Sequence, residues 1–228
     1  MMMPDKAIVL LSGGLDSLAA LGCITESRDY KVELALTFDY GQISVKKEIE
    51  ASEKICAFYG IKHKIIKLNW LKDITKTALV SGEKLPDCDF LTENSMENVW
   101  VPNRNGLFLN IAASFCDTYG YKFIIFGANK DEGETFSDNT EKFRTDITKA
   151  FETSTLVKPI VLAPLINYCK NDIVRIAAEK GMPLEYIWSC YKSGDRHCGK
   201  CESCYHLKKS LLANGFDNYL KYFFENED

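Results

Sequence analysis

Residues Ser12-Gly13-Gly14-Leu15-Asp16-Ser17 constrain this chain more than any other stretch. The apolar run Ala7-Ile8-Val9-Leu10-Leu11 precedes them, and a helix-like stretch from Leu18 to Cys23 follows. A buried strand, a glycine-rich turn and a helix start together make an anion site. The glycines let the backbone approach a phosphate closely, and the first free N–H groups of the helix point at it. Ser12 and Ser17 add hydroxyl donors. Asp16 is the odd member, because a carboxylate beside a phosphate repels it unless a metal ion or a helix N-terminus compensates. Its presence points to Mg²⁺. The plain alternative is a turn that merely joins strand to helix.

The turn lacks the lysine of the common Gly-Lys-Ser/Thr nucleotide loop, and it does not follow the dinucleotide pattern G-x-G-x-x-G. It resembles the S-G-G-x-D-S pyrophosphate loop of enzymes that split ATP between its α and β phosphates.

A chain of 228 residues holds one large domain, or one domain and a small annex. Hydrophobic content of 46% beside 26% charged residues describes an ordinary globular protein with a real core. The net charge of −4 supplies no whole-chain attraction to nucleic acid, which argues against a large tRNA as direct partner. No apolar run reaches the length of a membrane span, and Met1 to Lys6 lacks the regions of a signal peptide. A cytoplasmic protein is expected. A second copy of the chain is an allowed partner.

Strand-like and helix-like stretches alternate. Strands are expected at Ala7–Leu11, Val32–Phe38, Ile61–Leu68, Lys122–Phe126 and Val161–Pro164. Helices are expected at Ser17–Ser27, Ser44–Tyr59, Asn105–Tyr119, Glu141–Ser154, Asn171–Lys180 with Asn171 as cap, and a last one at Cys201–Ala213. This order gives an α/β fold, a Rossmann-like doubly wound parallel sheet. Ligands in such sheets bind outside the carboxyl ends of the strands. The opening turn, Phe38-Asp39-Tyr40-Gly41 and Gly127-Ala128-Asn129 all fall there. The polar stretch 72–98 reads as an irregular lid or an exposed connection.

Nine cysteines is a high count. Cys23, Cys56 and Cys116 read as small buried hydrophobes. Cys190, Cys198, Cys201 and Cys204 have the spacing C-x7-C-x2-C-x2-C. Each C-x2-C pair brings two thiolates to one metal through a tight turn, and Gly199 suits the first such turn. Four thiolates make a closed tetrahedral site, structural Zn²⁺ first, with an iron–sulfur cluster as the alternative. His197 beside Cys198 reads as a bystander. His63 and His206 receive no role.

The two ends taken together resemble the 7-cyano-7-deazaguanine synthase family. Its C-terminal pattern stands here as Ser189-Cys190-Tyr191, followed by Cys198-Gly199-Lys200-Cys201-Glu202-Ser203-Cys204. Asp39-Tyr40-Gly41-Gln42, Val101-Pro102-Asn103-Arg104-Asn105 with Phe108-Leu109, and Pro164-Leu165 with Lys170 match further family segments, so the resemblance spans essentially the whole chain. It implies an adenine-nucleotide-alpha-hydrolase-like domain at 1–165 and a small zinc-binding helical region at 166–228. It also implies an ATP-dependent carbon–nitrogen ligase. The carboxylate of 7-carboxy-7-deazaguanine is adenylated, ammonia gives the amide, and a second activation yields the nitrile, a queuosine or archaeosine precursor.

On this resemblance Leu11, Ser12, Gly13, Gly14, Leu15, Asp16, Ser17, Thr37, Phe38 and Gly127 bind ATP. Thr37 and Phe38 meet the adenine, and Asp16 also contacts Mg²⁺. Asp16 and Arg104 are the catalytic candidates. Arg104, Asn105, Phe136 and Asp138 face the substrate: Arg104 as a bidentate cation, Phe136 as a stacking ring, Asp138 as an acceptor for the N–H edge of a guanine-type base. Apart from the motif, Arg104 also reads as a surface salt-bridge partner, and Lys170 either neutralises phosphate or is a merely solvated lysine at a helix start. No catalytic base is evident.

The chain departs from the family at Asn139 and Thr140, where Cys and Arg are usual, and at Ile43-Ser44, where Arg-His is common. A ligase of the same kind acting on another carboxylate, or a tRNA thiolase or lysidine synthase of the superfamily, is the enzymatic alternative. A zinc-stabilised module that binds ATP without turnover is the non-enzymatic one.

Overall fold

The computed structural model describes residues 4–27, 29–81 and 99–224. Five strands form one parallel sheet: β1 Asp5–Leu10, β2 Tyr30–Asp39, β3 Lys62–Lys67, β4 Phe123–Ile125 and β5 Ile160–Leu162. Their order is β3-β2-β1-β4-β5. The chain therefore builds one half of the sheet outward from β1, then returns to β1's other side. The order reverses between β1 and β4, and there the crevice for a ligand opens.

The helices among the described residues are α1 Leu15–Thr25, α2 Val45–Tyr59, α3 Asn69–Ile74, α4 Ala78–Ser81, α5 Arg104–Tyr119, α6 Lys130–Gly133, α7 Glu141–Ser154, α8 Lys170–Glu179, α9 Glu202–Ala213 and α10 Leu220–Phe223. α2 and α5 stop at Gly60 and Gly120, both left-handed, as residues just past a helix end often are.

Alternation along β1 divides the core in two. Ala7, Val9 and Leu11 pack with α1, α2, α8 and α9, whereas Ile8 and Leu10 pack with α5 and α7. Both faces of the sheet are thus covered, as a doubly wound fold requires. β2 carries a bulge: its register against β1 jumps from Ala7–Val32 to Ile8–Leu34. The extra residue, Glu33, lets Val32 join one core and Leu34 the other. Without it the side chains after position 33 would face the wrong layer.

The C-terminal region has no core of its own. Cys190, Cys201, Cys204, Leu207, Leu211 and Phe223 belong to the same buried cluster as Leu15, Leu18 and Leu21 of α1.

Three expectations need adjustment. The cap of α8 is Cys169, two residues before Asn171, and its N–H donates to Asp172 Oδ2 at 3.4 Å. α9 is not the last helix, since α10 follows and carries buried Leu220 and Phe223. Part of 72–98 is regular, for α3 and α4 run through Ser81, and Ile43 N–H donates to Leu79 O at 2.9 Å. The remainder, 82–98, lies outside the described residues.

Candidate active site

A cleft of about 580 Å³ opens at the carboxyl ends of β1, β2 and β4. Its floor is the turn Ser12–Ser17. Gly14 caps α1 in extended conformation (φ −83°, ψ 170°) with no side-chain hydrogen bond to the helix. Gly14 therefore supplies no side-chain acceptor to the first N–H groups of α1, which face the cleft. Ser12 Oγ donates to Ser17 Oγ at 3.2 Å, and Ser17 Oγ to Gly14 O at 3.0 Å, so both hydroxyls are held at the turn.

Two glycines make this floor buildable. Gly13 sits at φ +77°, and a Cβ there would lie 2.7 Å from Glu48 O and 2.8 Å from Ala51 Cβ. Gly127, just past β4, would push a Cβ to 2.8 Å from Asp16 C and 3.0 Å from Ser17 N. The end of β4 thus lies directly against the start of α1.

Two cations face this floor. Lys170 Nζ, at the start of α8, lies 2.9 and 2.7 Å from Asp16 Oδ1 and Oδ2 and 3.6 Å from Glu132 Oε1. Burial would lower the pKa of this ammonium, but Asp16 and Glu132 outweigh it and the net shift is upward. Lys170 is a cleft cation rather than a solvated one. Arg104, the first residue of α5, lines the same cleft. Its guanidinium is desolvated, yet hydrogen-bonded Tyr40 and the nearby Glu132 and Asp138 keep it firmly charged. It is therefore no exposed surface salt bridge.

The remaining predicted residues divide. Leu11, Leu15, Phe38, Asn105, Phe136 and Asp138 line the cleft. Phe38 stacks on Phe108, ring centroids 3.9 Å apart and 4° from parallel. Phe136 lies nearly parallel to Trp100, with centroids 5.9 Å apart. Burial raises the pKa of Asp138 against the opposing effect of Arg104. Thr37 does not reach the cleft: it is 1% exposed, donates its hydroxyl to Leu11 O at 2.6 Å and meets His63 Nε2 at 2.8 Å. Strand alternation sends Phe38 toward the site and Thr37 away from it. The two altered positions carry local structure. Asn139 Nδ2 donates to Asp138 Oδ1 at 3.1 Å, and Thr140 Oγ1 accepts from Phe143 N–H at 3.2 Å at the head of α7.

Several cleft residues escaped the sequence reading. Glu48 enters from the first turn of α2, its Oε2 accepting from Gln42 Nε2 at 2.8 Å and its other oxygen from Ser44. Burial raises its pKa, while those two hydrogen bonds oppose the shift. Trp188, Ser189, Tyr191, Glu202, Ser203 and His206 form a wall from the C-terminal region. Gln42, Ser189 and Tyr191 lay within the matched motifs, and that membership was the available signal.

Behind this wall the Sγ atoms of Cys190, Cys198, Cys201 and Cys204 all lie within 4.8 Å of one another. Cys201 and Cys204 are 3.4 Å apart and Cys198 and Cys204 3.9 Å. Thiolates around a tetrahedral ion with ~2.3 Å bonds stand about 3.8 Å apart, so the donor set fits a metal. The N–H groups of Lys192 and Cys198 each donate to Cys190 Sγ at 3.3 Å, which suits a thiolate. His197 is not among the donors, because its Nε2 accepts from Ser189 N–H at 2.9 Å.

The family described as "Queuosine biosynthesis protein QueC" matches residues 6–215. The 7-cyano-7-deazaguanine synthase of Methanosarcina mazei is 48% identical over 226 residues, covering 94% of this chain and 97% of the relative. The chain belongs to the 7-cyano-7-deazaguanine synthase family. The synthase of Carboxydothermus hydrogenoformans is 47% identical over 216 residues, covering 92% of this chain and all of the relative. Among solved structures, a 4-thiouridine synthetase in complex with RNA and ATP superposes with a TM-score of 0.51 at 19% identity, over 96% of this chain and 53% of that one. The U34-tRNA thiolase NcsA of Methanococcus maripaludis gives 0.50 at 17%, over 95% and 68%. These two share the fold alone. No helix among the described residues is long and apolar enough to cross a membrane.

Proposed function

We propose that this chain converts 7-carboxy-7-deazaguanine and ammonia to 7-cyano-7-deazaguanine, using ATP twice. One observation carries the reading: the Ser12–Ser17 turn, Arg104 and Lys170 converge on one cleft in a chain 48% identical to a synthase of this name. A carboxylate is a poor electrophile because its leaving group would be oxide. Its attack on the α phosphate of ATP releases pyrophosphate and forms an acyl adenylate. Ammonia then displaces AMP, leaving the amide and one proton. The amide oxygen attacks a second ATP, releasing pyrophosphate again. Loss of AMP and the remaining N–H protons gives the nitrile.

The first N–H groups of α1, with Ser12 and Ser17, suit the departing pyrophosphate. Mg²⁺ at Asp16 would neutralise phosphate charge when bound. Lys170 offsets the charge of the same carboxylate. Arg104 suits the α phosphate or the substrate carboxylate, since its planar fork pairs two oxygens at once. Phe136 offers a face for the deazapurine ring, and Asp138 an acceptor for its N–H edge. The four cysteines would hold Zn²⁺ in a closed structural site. A biosynthetic ligase of this kind belongs in the cytoplasm.

Incubation with Mg–ATP, ammonium and 7-carboxy-7-deazaguanine, followed by mass spectrometry and pyrophosphate assay, tests the reading. The expected product is the nitrile, with two pyrophosphates released per nitrile. ATP consumption only with another acid would overturn the substrate, and binding without turnover would overturn the enzyme.

A further inference from the structure

His197 links the cysteine cluster to the phosphate loop. Its ring is 5% exposed, lies 4.6 Å from that of Trp188 at 21°, and meets Phe223 edge-on at 5.1 Å. Its own N–H donates to Phe223 O at 2.8 Å, so both backbone and ring are fixed. Nε2 accepts from Ser189 N–H at 2.9 Å. That hydrogen bond lies one residue inside two of the clustered cysteines, Cys190 after Ser189 and Cys198 after His197.

The strap continues to the loop. Trp188 N–H donates to Gly13 O at 2.8 Å. A trans peptide is planar, with its C=O and N–H pointing in opposite directions. Fixing Gly13 O therefore fixes the direction of Gly14 N–H, which donates to Ser12 Oγ at 3.4 Å at the floor of the cleft. Gly13 stands at φ +77°, and glycine has no intrinsic preference that would hold its peptide there. Ser12 Oγ holds this peptide from inside the loop through a long contact, and Trp188 N–H holds it from outside through a shorter one.

We propose that His197 is a positioning residue for ATP: by holding Ser189, it sets Trp188 N–H against Gly13 O and so aims the Gly13–Gly14 peptide at the phosphates. The proposal rests on the reading of Ser12–Ser17 as the ATP loop. The C-terminal cluster then shapes the nucleotide site rather than only stiffening the chain end.

The test uses the full chain with zinc content, thermal melting and Mg–ATP affinity measured on each variant. His197→Ala is expected to keep its zinc while its Kd and KM for ATP rise about five-fold, the loss of one buried hydrogen bond, with kcat little changed. His197→Gln, whose Oε1 reaches the position of Nε2, should return to within about two-fold of wild type, whereas His197→Asn, too short to reach Ser189, should not. Should His197→Ala fail to fold, the Gln and Asn pair makes the same comparison. Wild-type ATP affinity in zinc-loaded His197→Ala, or equal behaviour of Gln and Asn, would overturn the proposal. Zinc loss in His197→Ala would also overturn it, because the histidine would then act through the metal. A wild-type chain that binds no Mg–ATP would instead overturn the reading beneath it.

Discussion

Lys170 Nζ sits 2.9 and 2.7 Å from the two carboxylate oxygens of Asp16, a residue 154 positions earlier. The pair joins the first turns of α1 and α8 at the floor of the cleft. Each helix start would favour an anion nearby, and Asp16 occupies that place at α1. Removing only the lysine leaves Asp16 and Glu132 facing each other in a poorly solvated site. Lys170→Met is therefore expected to cost about 1 kcal/mol of stability in urea unfolding, because the pair keeps part of its surface exposed to the cleft. The double variant with Asp16→Asn should recover much of that loss yet release no pyrophosphate. Full stability of Lys170→Met would contradict this account.

Arg104 tests the importance of shape over charge. Arg104→Lys keeps the charge but loses the planar fork that grips two oxygens. The expected result is a fall of roughly a hundredfold in kcat/KM for the deazaguanine carboxylate, about 3 kcal/mol, at near-wild-type melting temperature. A variant as active as wild type would remove Arg104 from the reacting site.

Gly127 lies where β4 meets α1. In Gly127→Ala the added Cβ would meet backbone atoms of Asp16 at 2.8 and 2.9 Å, and backbone cannot swing aside as a side chain can. Destabilisation of about 2 kcal/mol is expected, with weaker ATP binding because the head of α1 is displaced. Calorimetric titration with an ATP analogue checks the second effect.

Cys204 is 0% exposed, inside the core shared with α1. Cys204→Ser should lower bound zinc, measured by elemental analysis, and lower the melting temperature by several degrees, about 5 °C or more. Full zinc and full stability together would sink the four-cysteine assignment.

Glu48 sets a pH dependence. Burial raises its folded-state pKa above the ordinary 4.5. The folded chain then holds a proton that the unfolded chain has already released. Stability from this group is complete below pH 4.5 and declines as pH rises through the folded value. Glu48→Gln lacks that decline. Its melting temperature relative to wild type should therefore improve from pH 4.5 towards pH 7, and a constant difference would refute the assignment.

The fold was largely legible because its signals are local. The apolar run of β1, the alternation through β3, the glycines closing α2 and α5 and the apolar face of α2 each act over a few residues. Helix α7 runs from Glu141 to Ser154, the bounds its sequence predicts. The capping of α8 by Cys169 was missed because Asn171 carries the stronger local preference, while the aspartate that accepts from the Cys169 N–H stands three residues on. Thr37 was misplaced for a different reason. A strand end offers alternate residues to opposite layers, and only the layer decides which one meets a ligand.

By itself, the sequence determined the glycine-rich turn between β1 and α1, the alternation of the five strands with the longer helices, and the spacing of the four cysteines, because each depends on spacing along the chain. Tertiary structure decided what faces what. It paired Lys170 with Asp16, set Arg104 beside Tyr40, turned Thr37 away, and set Trp188 N–H on Gly13 O. Those relationships span tens to hundreds of residues and arise only when β4 returns beside β1 and the C-terminal region packs onto α1. Burial then sets how strongly each charge is felt, and burial belongs to the folded chain alone.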